Sequence, residues 1–241
     1  IFSKDEIIVS NLTDEGRARS EKTLGVVTTL DNNEIVRSAK TVVLAVKPQF
    51  YEEVLTEVHD SLTTEHTIIG IAPGKTLAWL EEKAGLPLKV VRFMPNTPAQ
   101  VGAGMTAVCT NDRVSEDELA EILKITDSFG CTEVVPERLM DAAGAVGGCS
   151  PAYVFMFIEA MADAAVAGGM PRSQAYTFAA QAVLGSAKMV LETGKHPGEL
   201  KDMVCSPAGT TIQAVRVLEE KGMRSSVFEA MMKCLDISRK M

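Results

Sequence analysis

The sequence predicts an α/β protein, in which a Rossmann-like, doubly wound parallel sheet over residues 1–136 is followed by an all-helical domain over residues 137–241. Two observations predict this division. Up to about Glu137, short apolar runs alternate with segments of helical spacing, which is typical of a parallel sheet covered by helices. Beyond Glu137 the strand pattern stops, and the rest of the chain carries only helical patterns.

Composition excludes several classes of protein. The net charge is −8 and no basic block occurs, which argues against a nucleic-acid partner. The five cysteines are scattered and the three histidines lie far apart, so we predict no metal site, and reduced thiols in a cytoplasmic setting. No uninterrupted apolar run is long enough to span a membrane, so we expect no membrane partner.

The elements of the first part follow from local pattern. The apolar, β-branched run TVVLAV at 41–46 is typical of a buried parallel strand. Ser115 and Glu118 form a capping box at the start of a helix. The predicted strands are 7–9, 26–28, 41–46, 67–71, 88–93, 105–110 and 132–135. The predicted helices are 13–22 with Thr13 as cap, a helix to Ser38 capped by Asp31 or Asn32, 51–62, 76–84 and 115–129.

The residues that follow the predicted strands are the first candidates for a binding site. Ligands of such sheets bind beyond the carboxyl ends of the strands. Three loops lie there: Ser10-Asn11, Ala45-Val46-Lys47-Pro48, and the stiff MPNTP loop at 94–98, which contains Pro95 and Asn96. Each has a plain structural alternative, since Ser10 and Asn11 suit a turn, Lys47 suits a solvated surface, and the MPNTP loop equally suits a rigid interdomain turn.

The second part is predicted to be five helices, at 152–167, 173–192, 198–204, 210–221 and 225–240, with glycines at their ends. These helices are apolar around much of their circumference, and a helix of that kind must be buried. So small a domain has little interior, so we predict that a second subunit covers them. A compact monomeric bundle is the alternative.

The loop SPAGTT at 206–211 joins the third and fourth of these helices. Pro207 provides a rigid turn, Gly209 permits close approach of backbone, and Thr210 and Thr211 open the next helix. The N-terminus of a helix has free N–H groups and a positive dipole end, so it can hold an anion. An ordinary helix cap is the alternative, and the loop by itself favours that alternative.

Leu200, Val204, the SPAGTT loop, Ala214 and Leu218 with Glu219 together resemble the signature of pyrroline-5-carboxylate reductase. The resemblance extends over residues 7–240. It implies hydride transfer from NADPH, with NADH as the alternative, to the cyclic imine 1-pyrroline-5-carboxylate, which gives L-proline. It also implies that the substrate carboxylate is bound by Ser206, Gly209, Thr210 and Thr211, with the Thr211 hydroxyl as the catalytic group.

The same resemblance implies contacts to the cofactor. Asn32 matches the position near the adenosine half, the AVKP loop lies along the cofactor, and MPNTP faces the nicotinamide carboxamide. The implied cofactor-binding residues are Ser10, Asn11, Asn32, Ala45, Val46, Lys47, Pro48, Pro95 and Asn96. Because neither Ser10 nor Asn11 repels a 2′-phosphate, the end of the first strand favours NADP. The family pairs subunits through its helical domain, which implies a homodimer here, with a decamer of dimers as the larger assembly.

The glycine loop of a dinucleotide-binding domain is the main departure from the family pattern. Such a domain opens with a strand, GxGxxG and a helix, and no GxGxxG occurs in these 241 residues. Since 7–10 resembles the second strand of such a domain, we expect the first strand, the glycine loop and the first helix to precede Ile1. A smaller departure lies at 147–153, where Cys149 and Ser150 interrupt a resemblance to the family's SGSGPAY.

Two other functions are weighed against the reductase. The first is a hydroxyacid dehydrogenase of the related two-domain type, which needs a catalytic lysine on the helical domain, where Lys188 and Lys201 are the candidates. Both lysines suit solvated helix faces better. The second is a catalytically inactive homologue that acts only as an assembly partner.

Overall fold

The computed structural model describes residues 1–240 as two compact units. One unit holds residues 1–148 together with those from Leu235 on, and the other holds Cys149–Cys234. Within the described residues, every strand lies in the first unit and ends by Val134, as the sequence predicts. The predicted fold class, an α/β part followed by a helical part, is confirmed.

The predicted elements all occur in the predicted order, with ends that differ by a few residues, and the short helix Met140–Gly144 is an element that the sequence did not predict. The strands are β1 (Ile8–Ser10), β2 (Val27–Thr29), β3 (Thr41–Leu44), β4 (Thr67–Gly70), β5 (Lys89–Met94), β6 (Gly104–Thr110) and β7 (Gly130–Val134). The helices of the first part are α1 (Asp14–Leu24), α2 (Asn32–Ser38), α3 (Tyr51–Val58), α4 (Leu77–Ala84) and α5 (Glu116–Asp127). The remaining helices are α6 (Met140–Gly144), α7 (Ser150–Ala167), α8 (Arg172–Thr193), α9 (Pro197–Met203), α10 (Thr210–Glu220) and α11 (Met223–Ser238).

Side-chain caps fix the starts of several helices. Thr13 and Thr76 accept hydrogen bonds from the first turns of α1 and α4, and Asp31 accepts one from the first turn of α2. Ser115 and Glu118 form the predicted capping box on α5. The caps named in the sequence therefore mark the helix starts correctly.

The sheet is parallel except at one pair of strands. β1 pairs with β2, and a separate five-stranded sheet has the order β3-β4-β5-β6-β7. All neighbours run parallel except β5 and β6, which are antiparallel, with Phe93 opposite Val108. A wholly parallel sheet was expected, but the connection at 95–103 is shorter than the dozen or so residues that a parallel crossover needs. Only an antiparallel return can be made over that length.

Helices cover the five-stranded sheet on both faces, and its central strands are the most deeply buried. All four residues of β4 are buried, and Ile69 contacts no solvent. The Tyr51 hydroxyl joins two strand ends, because it donates to the Leu44 carbonyl oxygen at 2.6 Å and accepts from the Ile71 N–H at 3.0 Å. Burial raises the pKa of Tyr51, so its proton stays in place as a hydrogen-bond donor.

A buried ion pair fixes the chain beyond the last strand. Arg92 on β5 is 4% exposed, and its Nη1 donates to Glu137 Oε1 at 2.8 Å. The same carboxylate oxygen accepts from the Leu77 N–H at the start of α4, at 2.7 Å. Glu137 therefore satisfies both a buried cation and an open helix N-terminus.

The second unit leaves much apolar surface uncovered. Phe155 and Phe178 are 63% and 65% exposed, and Leu191 is 81% exposed.

By length and composition alone, the stretch Glu137–Ala167 could cross a membrane, with a mean hydropathy of 1.3 over its most apolar window. Length and composition therefore do not exclude a span, contrary to the expectation from the sequence, although one such helix is weak evidence for a membrane protein.

Candidate active site

The carboxyl ends of β1 and β3 lie beside one cavity of about 480 Å³ in the first unit. Backbone and side chains of β1, α2 and β3 line it, and Ser10 and Asn32 provide polar groups there. Ser10 Oγ donates to Asn32 Oδ1 at 2.7 Å, and Asn32 Nδ2 donates to Glu57 Oε2 at 2.8 Å. The structure therefore brings Ser10 and Asn32 together, as expected from the sequence.

Asn11 lies directly after β1 and has an unused donor. Its Oδ1 accepts from Ser20 Oγ at 3.0 Å, and its backbone N–H donates to the Thr29 carbonyl. Its Nδ2 is the buried side-chain nitrogen for which no partner exists among the described residues. An orphaned donor beyond the end of a strand suits an oxygen-rich ligand such as a ribose or a phosphate.

The AVKP loop follows β3 without a further strand residue. Ala45, Val46 and Lys47 are exposed, and Pro48 begins a 3₁₀ turn. Within the described residues, Lys47 forms no ion pair. β3 ends at Leu44, so the predicted strand at 41–46 was too long by two residues, and Ala45 and Val46 lie only in the AVKP loop.

These groups fit the adenosine half of a nicotinamide dinucleotide. Ser10 and Asn32 line the cavity, the Asn11 amide nitrogen is an unpaired donor, and Lys47 is a cation free of ion pairs within the described residues. Glu57 is an anion close to Asn32 that sequence reasoning missed, because it comes from α3 and only the fold brings it there.

Asn96 is used within the protein. Its Nδ2 donates to the Gly147 carbonyl oxygen at 3.1 Å, and its Oδ1 accepts from the Met105 N–H at 2.9 Å. Asn96 precedes a 3₁₀ turn, Thr97–Val101, which contains Pro98 and is followed by Gly102. Contact of Asn96 or Pro95 with the cofactor stays a prediction, but the Asn96 amide also has a structural role that the sequence did not indicate.

The loop at 206–211 leads into α10, whose N-terminus has no side-chain cap. No side chain caps α10, and the Thr210 and Thr211 N–H groups donate none of the hydrogen bonds found among the described residues. The structural alternative considered from the sequence, a helix capped by its own hydroxyls, is therefore wrong. The first turn of α10 is open to an anion.

Backbone strain and close packing shape the same loop. Ala208 has φ 58, a left-handed conformation that a non-glycine residue adopts at a cost. A Cβ on Gly209 would lie 2.3 Å from Ser206 Oγ, so only glycine leaves that hydroxyl where it is. Ser206, Ala208 and Thr211 are exposed. No pattern in the sequence indicated the strain at Ala208.

The segment that leads into α7 positions backbone and provides no nucleophile. Residues Ala145–Cys149 form a π-helical turn, which the sequence did not predict. A hydrogen bond with Cys234, together with burial, raises the pKa of Cys149 to about 11. Its thiol is therefore protonated at neutral pH.

The two lysines of the rival dehydrogenase do not form a site. Lys188 Nζ lies 3.4 Å from Glu192 Oε1 on an exposed helix face. Lys201 is paired with Asp202, and that hydrogen bond raises the pKa of Lys201 further. A lysine held protonated beside its own carboxylate cannot serve as a general base.

Comparison with known proteins places these features in a family. A family model described as pyrroline-5-carboxylate reductase dimerisation matches residues 137–241. A second model, described as NADP oxidoreductase, coenzyme F420-dependent, matches residues 2–74. The chain is 57% identical to the pyrroline-5-carboxylate reductase of Escherichia coli (strain K12) over 208 residues, which are 86% of this chain and 77% of that protein. The chain belongs to the pyrroline-5-carboxylate reductase family. It is also 44% identical to the Methanosarcina acetivorans reductase over 90% of this chain and 81% of that protein.

Solved structures of the family share the fold over nearly the whole chain. A pyrroline-5-carboxylate reductase from Coxiella burnetii matches with a TM-score of 0.90 at 34% identity, covering 98% of this chain and 88% of that one. The Plasmodium falciparum pyrroline carboxylate reductase with NADP bound matches with a TM-score of 0.88 at 30% identity, covering 99% and 88%. The chain is thus an NAD(P)-dependent oxidoreductase that reduces pyrroline-5-carboxylate to proline, and the hydroxyacid alternative is not favoured.

Proposed function

We propose that the open N-terminus of α10, with the loop before it, binds the carboxylate of 1-pyrroline-5-carboxylate. The observation that supports this is the uncapped first turn of α10, whose Thr210 and Thr211 N–H groups point to no acceptor among the described residues. The Ser206 hydroxyl lies against Gly209 at the same turn and adds a further donor. Several donors and a helix dipole together suit a carboxylate.

In the reaction, the protein binds the imine, and it either delivers one proton to the ring nitrogen or orients an imine that already carries that proton. When bound, the nicotinamide cofactor supplies the hydride that the imine carbon accepts. The ring nitrogen gains a proton as the C=N double bond becomes a single bond. The Thr211 hydroxyl is the proposed hydrogen-bond partner of that nitrogen. Because a threonine is a poor acid, either it delivers the proton or it orients an imine that is already protonated.

Thr211→Ala tests this role, with Thr211→Ser as the matched control. If Thr211 delivers the proton, kcat falls by about 100-fold or more, whereas loss of an orienting hydrogen bond lowers it by about tenfold. Thr211→Ser keeps a hydroxyl and should stay within about fivefold of the parent. The measurement is cofactor oxidation with pyrroline-5-carboxylate, together with the melting temperature. Parent rates in Thr211→Ala would remove Thr211 from the mechanism.

We propose NADPH as the preferred cofactor. In support, β1 ends at Ser10 and is followed by Asn11, so no carboxylate lies at the position where an acidic residue selects NAD. Glu57, an anion close to Asn32, accepts a hydrogen bond from the Asn32 amide. The ratio of kcat/KM for NADPH to that for NADH tests the proposal, and a ratio below one would contradict it.

We also propose that residues 1–136 form the dinucleotide-binding domain, with one more parallel strand seated between β1 and β3. Among the described residues, β1 pairs only with β2 and β3 pairs only with β4, so each presents an unpaired edge to the 480 Å³ cavity. Val43 on β3 is 44% exposed although its neighbour in β4, Ile69, is fully buried. Hydrogen exchange tests this: if the β1 and β3 edges are occupied in the active enzyme, their amides exchange slowly, and rapid exchange there would argue against it.

We propose that a second copy of the chain covers the apolar faces of the helical part and forms a homodimer. Support comes from the exposed Phe155 and Phe178, and from the match of 137–241 to a dimerisation model. Phe155→Asp should shift the mass in light scattering from dimer to monomer, because it places a charge in an apolar interface. The charge-neutral control is Phe155→Leu. The same measurement on the parent decides whether dimers assemble further into a decamer, and a monomeric parent would overturn the proposal.

A further inference from the structure

Asn96 joins two segments that are far apart in sequence. Its Nδ2 donates to the carbonyl of Gly147 at 3.1 Å, and its Oδ1 accepts from the N–H of Met105 at 2.9 Å. One side chain therefore connects the loop after β5, the first residues of β6 and the π turn Ala145–Cys149. Asn96, Met105 and Gly147 all lie in the first unit.

Two glycines lie beside the strand-end loop, Gly144 at the end of α6 and Gly147 within the π turn. A Cβ on Gly144 would lie 3.4 Å from the Met94 side chain, and a Cβ on Gly147 would lie 4.0 Å from both Asn96 Nδ2 and the Met105 carbonyl oxygen. Both distances are ordinary van der Waals distances, so the backbone at Gly144 and Gly147 packs beside the strand-end loop. A π turn is rare, because its hydrogen-bond geometry is less favourable than that of an α-helix, and it survives where other contacts hold it. The Asn96 amide supplies such a contact.

The position of Asn96 places these two hydrogen bonds at the ligand-binding edge of the sheet. β3, β4 and β5 are parallel neighbours in one sheet, so their carboxyl ends lie at the same edge, and Asn96 follows β5 at that edge. The carboxyl ends of the strands form the ligand-binding edge of an α/β sheet. A loop at that edge must be stiff if it is to fix a flat ring for hydride transfer, since small misplacements are costly in rate. The two hydrogen bonds of Asn96 provide the stiffness at its centre.

We infer that Asn96 is a positioning residue for the reduction: its amide clamps the loop after β5 to Gly147 of the π turn Ala145–Cys149 and thereby fixes that loop at the ligand-binding edge of the sheet. The inference rests on the proposed function for its kinetic consequence only. The clamp itself is independent of which substrate is reduced. This role differs from direct binding of the nicotinamide by the Asn96 side chain, and the two make different predictions.

Asn96→Asp tests the clamp, because aspartate keeps the acceptor for Met105 N–H and loses the donor to Gly147. Asn111→Asp is the matched control. Asn111 is also half-buried, and its amide likewise bridges two segments, with Oδ1 accepting from Val90 N–H at 3.2 Å and Nδ2 donating to the Leu88 carbonyl at 2.9 Å. It lies at the other end of β5, away from the ligand-binding edge.

For Asn96→Asp we expect kcat to fall by about 10- to 100-fold, with KM and Kd for NADPH within about threefold of the parent. Amides of residues 145–149 should exchange faster with deuterium. Asn111→Asp should lower the melting temperature by a similar amount and leave kcat within about twofold.

Three results would overturn the inference. A rise in Kd for NADPH of about tenfold with unchanged kcat would make Asn96 a direct cofactor ligand. Equal kinetic losses in Asn96→Asp and Asn111→Asp would make its role merely structural. Unchanged exchange at 145–149 would mean that no clamp exists. If the parent itself fails to reduce pyrroline-5-carboxylate, the proposed function fails, while the exchange measurement still decides on the clamp.

Discussion

Gly209→Ala is a one-methyl test of the proposed carboxylate site. The added Cβ would lie 2.3 Å from Ser206 Oγ and 3.1 Å from the Ser206 carbonyl oxygen. Gly209 has φ −72 and ψ 168, an extended conformation that alanine adopts without strain. The substitution therefore acts through the contact alone, and the Ser206 hydroxyl has to rotate away from the first turn of α10.

The size of the effect follows from the bond that is lost. A hydrogen bond to a charged group contributes about 1.5–3 kcal/mol. If Ser206 Oγ binds the substrate carboxylate, its displacement should raise KM for pyrroline-5-carboxylate, and Kd for L-proline, by about 10- to 150-fold. The turnover number should change much less, because the carboxylate is bound in both the ground state and the transition state.

A double-mutant cycle isolates this cause. Ser206→Ala alone should raise KM as much as Gly209→Ala does. In the Ser206→Ala background the new methyl group meets only Ser206 Cβ at 3.5 Å and the carbonyl oxygen at 3.1 Å, so Gly209→Ala should add less than about threefold. Additive effects of the two substitutions, or an unchanged KM in Gly209→Ala, would refute the assignment of Ser206.

Two further predictions concern stability. Glu137→Ala leaves Arg92, which is 4% exposed, without its carboxylate and leaves the Leu77 N–H without an acceptor. Urea unfolding should show a loss of about 3 kcal/mol, and a loss below about 1 kcal/mol would contradict the role of this pair. Hydrogen bonds from Lys89, and then from Ser115, lower the pKa of Glu118 to about 2. A carboxyl group whose pKa is lower in the folded state stabilises above its unfolded pKa, so the stability difference between parent and Glu118→Gln should be full at pH 7 and disappear as pH falls from about 4.5 to about 2. A stability difference between parent and Glu118→Gln that does not change with pH would contradict the lowered pKa of Glu118.

Most of the fold could be predicted from local pattern. Caps such as Thr13, Asp31 and Ser115 mark helix starts because the hydrogen bonds that they form are local in sequence. The direction of β6 was not predicted, because hydrophobic pattern does not indicate strand direction and only the short connection at 95–103 does. The π turn Ala145–Cys149 depends on contacts with distant residues, so no local pattern indicates it.

The candidate site was predicted less evenly. The loop at 206–211 was found because proline, glycine and two threonines occur together before a helical pattern. Glu57 and Gly147 could not be found, because each reaches its partner only through the tertiary fold. The strain at Ala208 also could not be found, since alanine gives no signal of a left-handed conformation. The sequence thus predicts residues whose role depends on the backbone next to them. It misses residues whose partners lie on a helix or strand that is distant in sequence.

The antiparallel pair β5–β6 has a consequence for how the chain folds. Its strands are joined by 95–103, whereas each parallel pair of the same sheet needs a longer crossover. Short loops close at a lower entropic cost and hairpins form within microseconds, so we expect this pair to be structured early in the folding transition state. The bond from Met105 N–H to Asn96 Oδ1 lies inside it, so the strand-end loop would acquire its shape before residue 147 arrives to complete the clamp. The MPNTP loop would then form in the first folding event. Val91→Ala, in the strand β5 that leads into this loop, should slow folding more than it speeds unfolding in stopped-flow measurements.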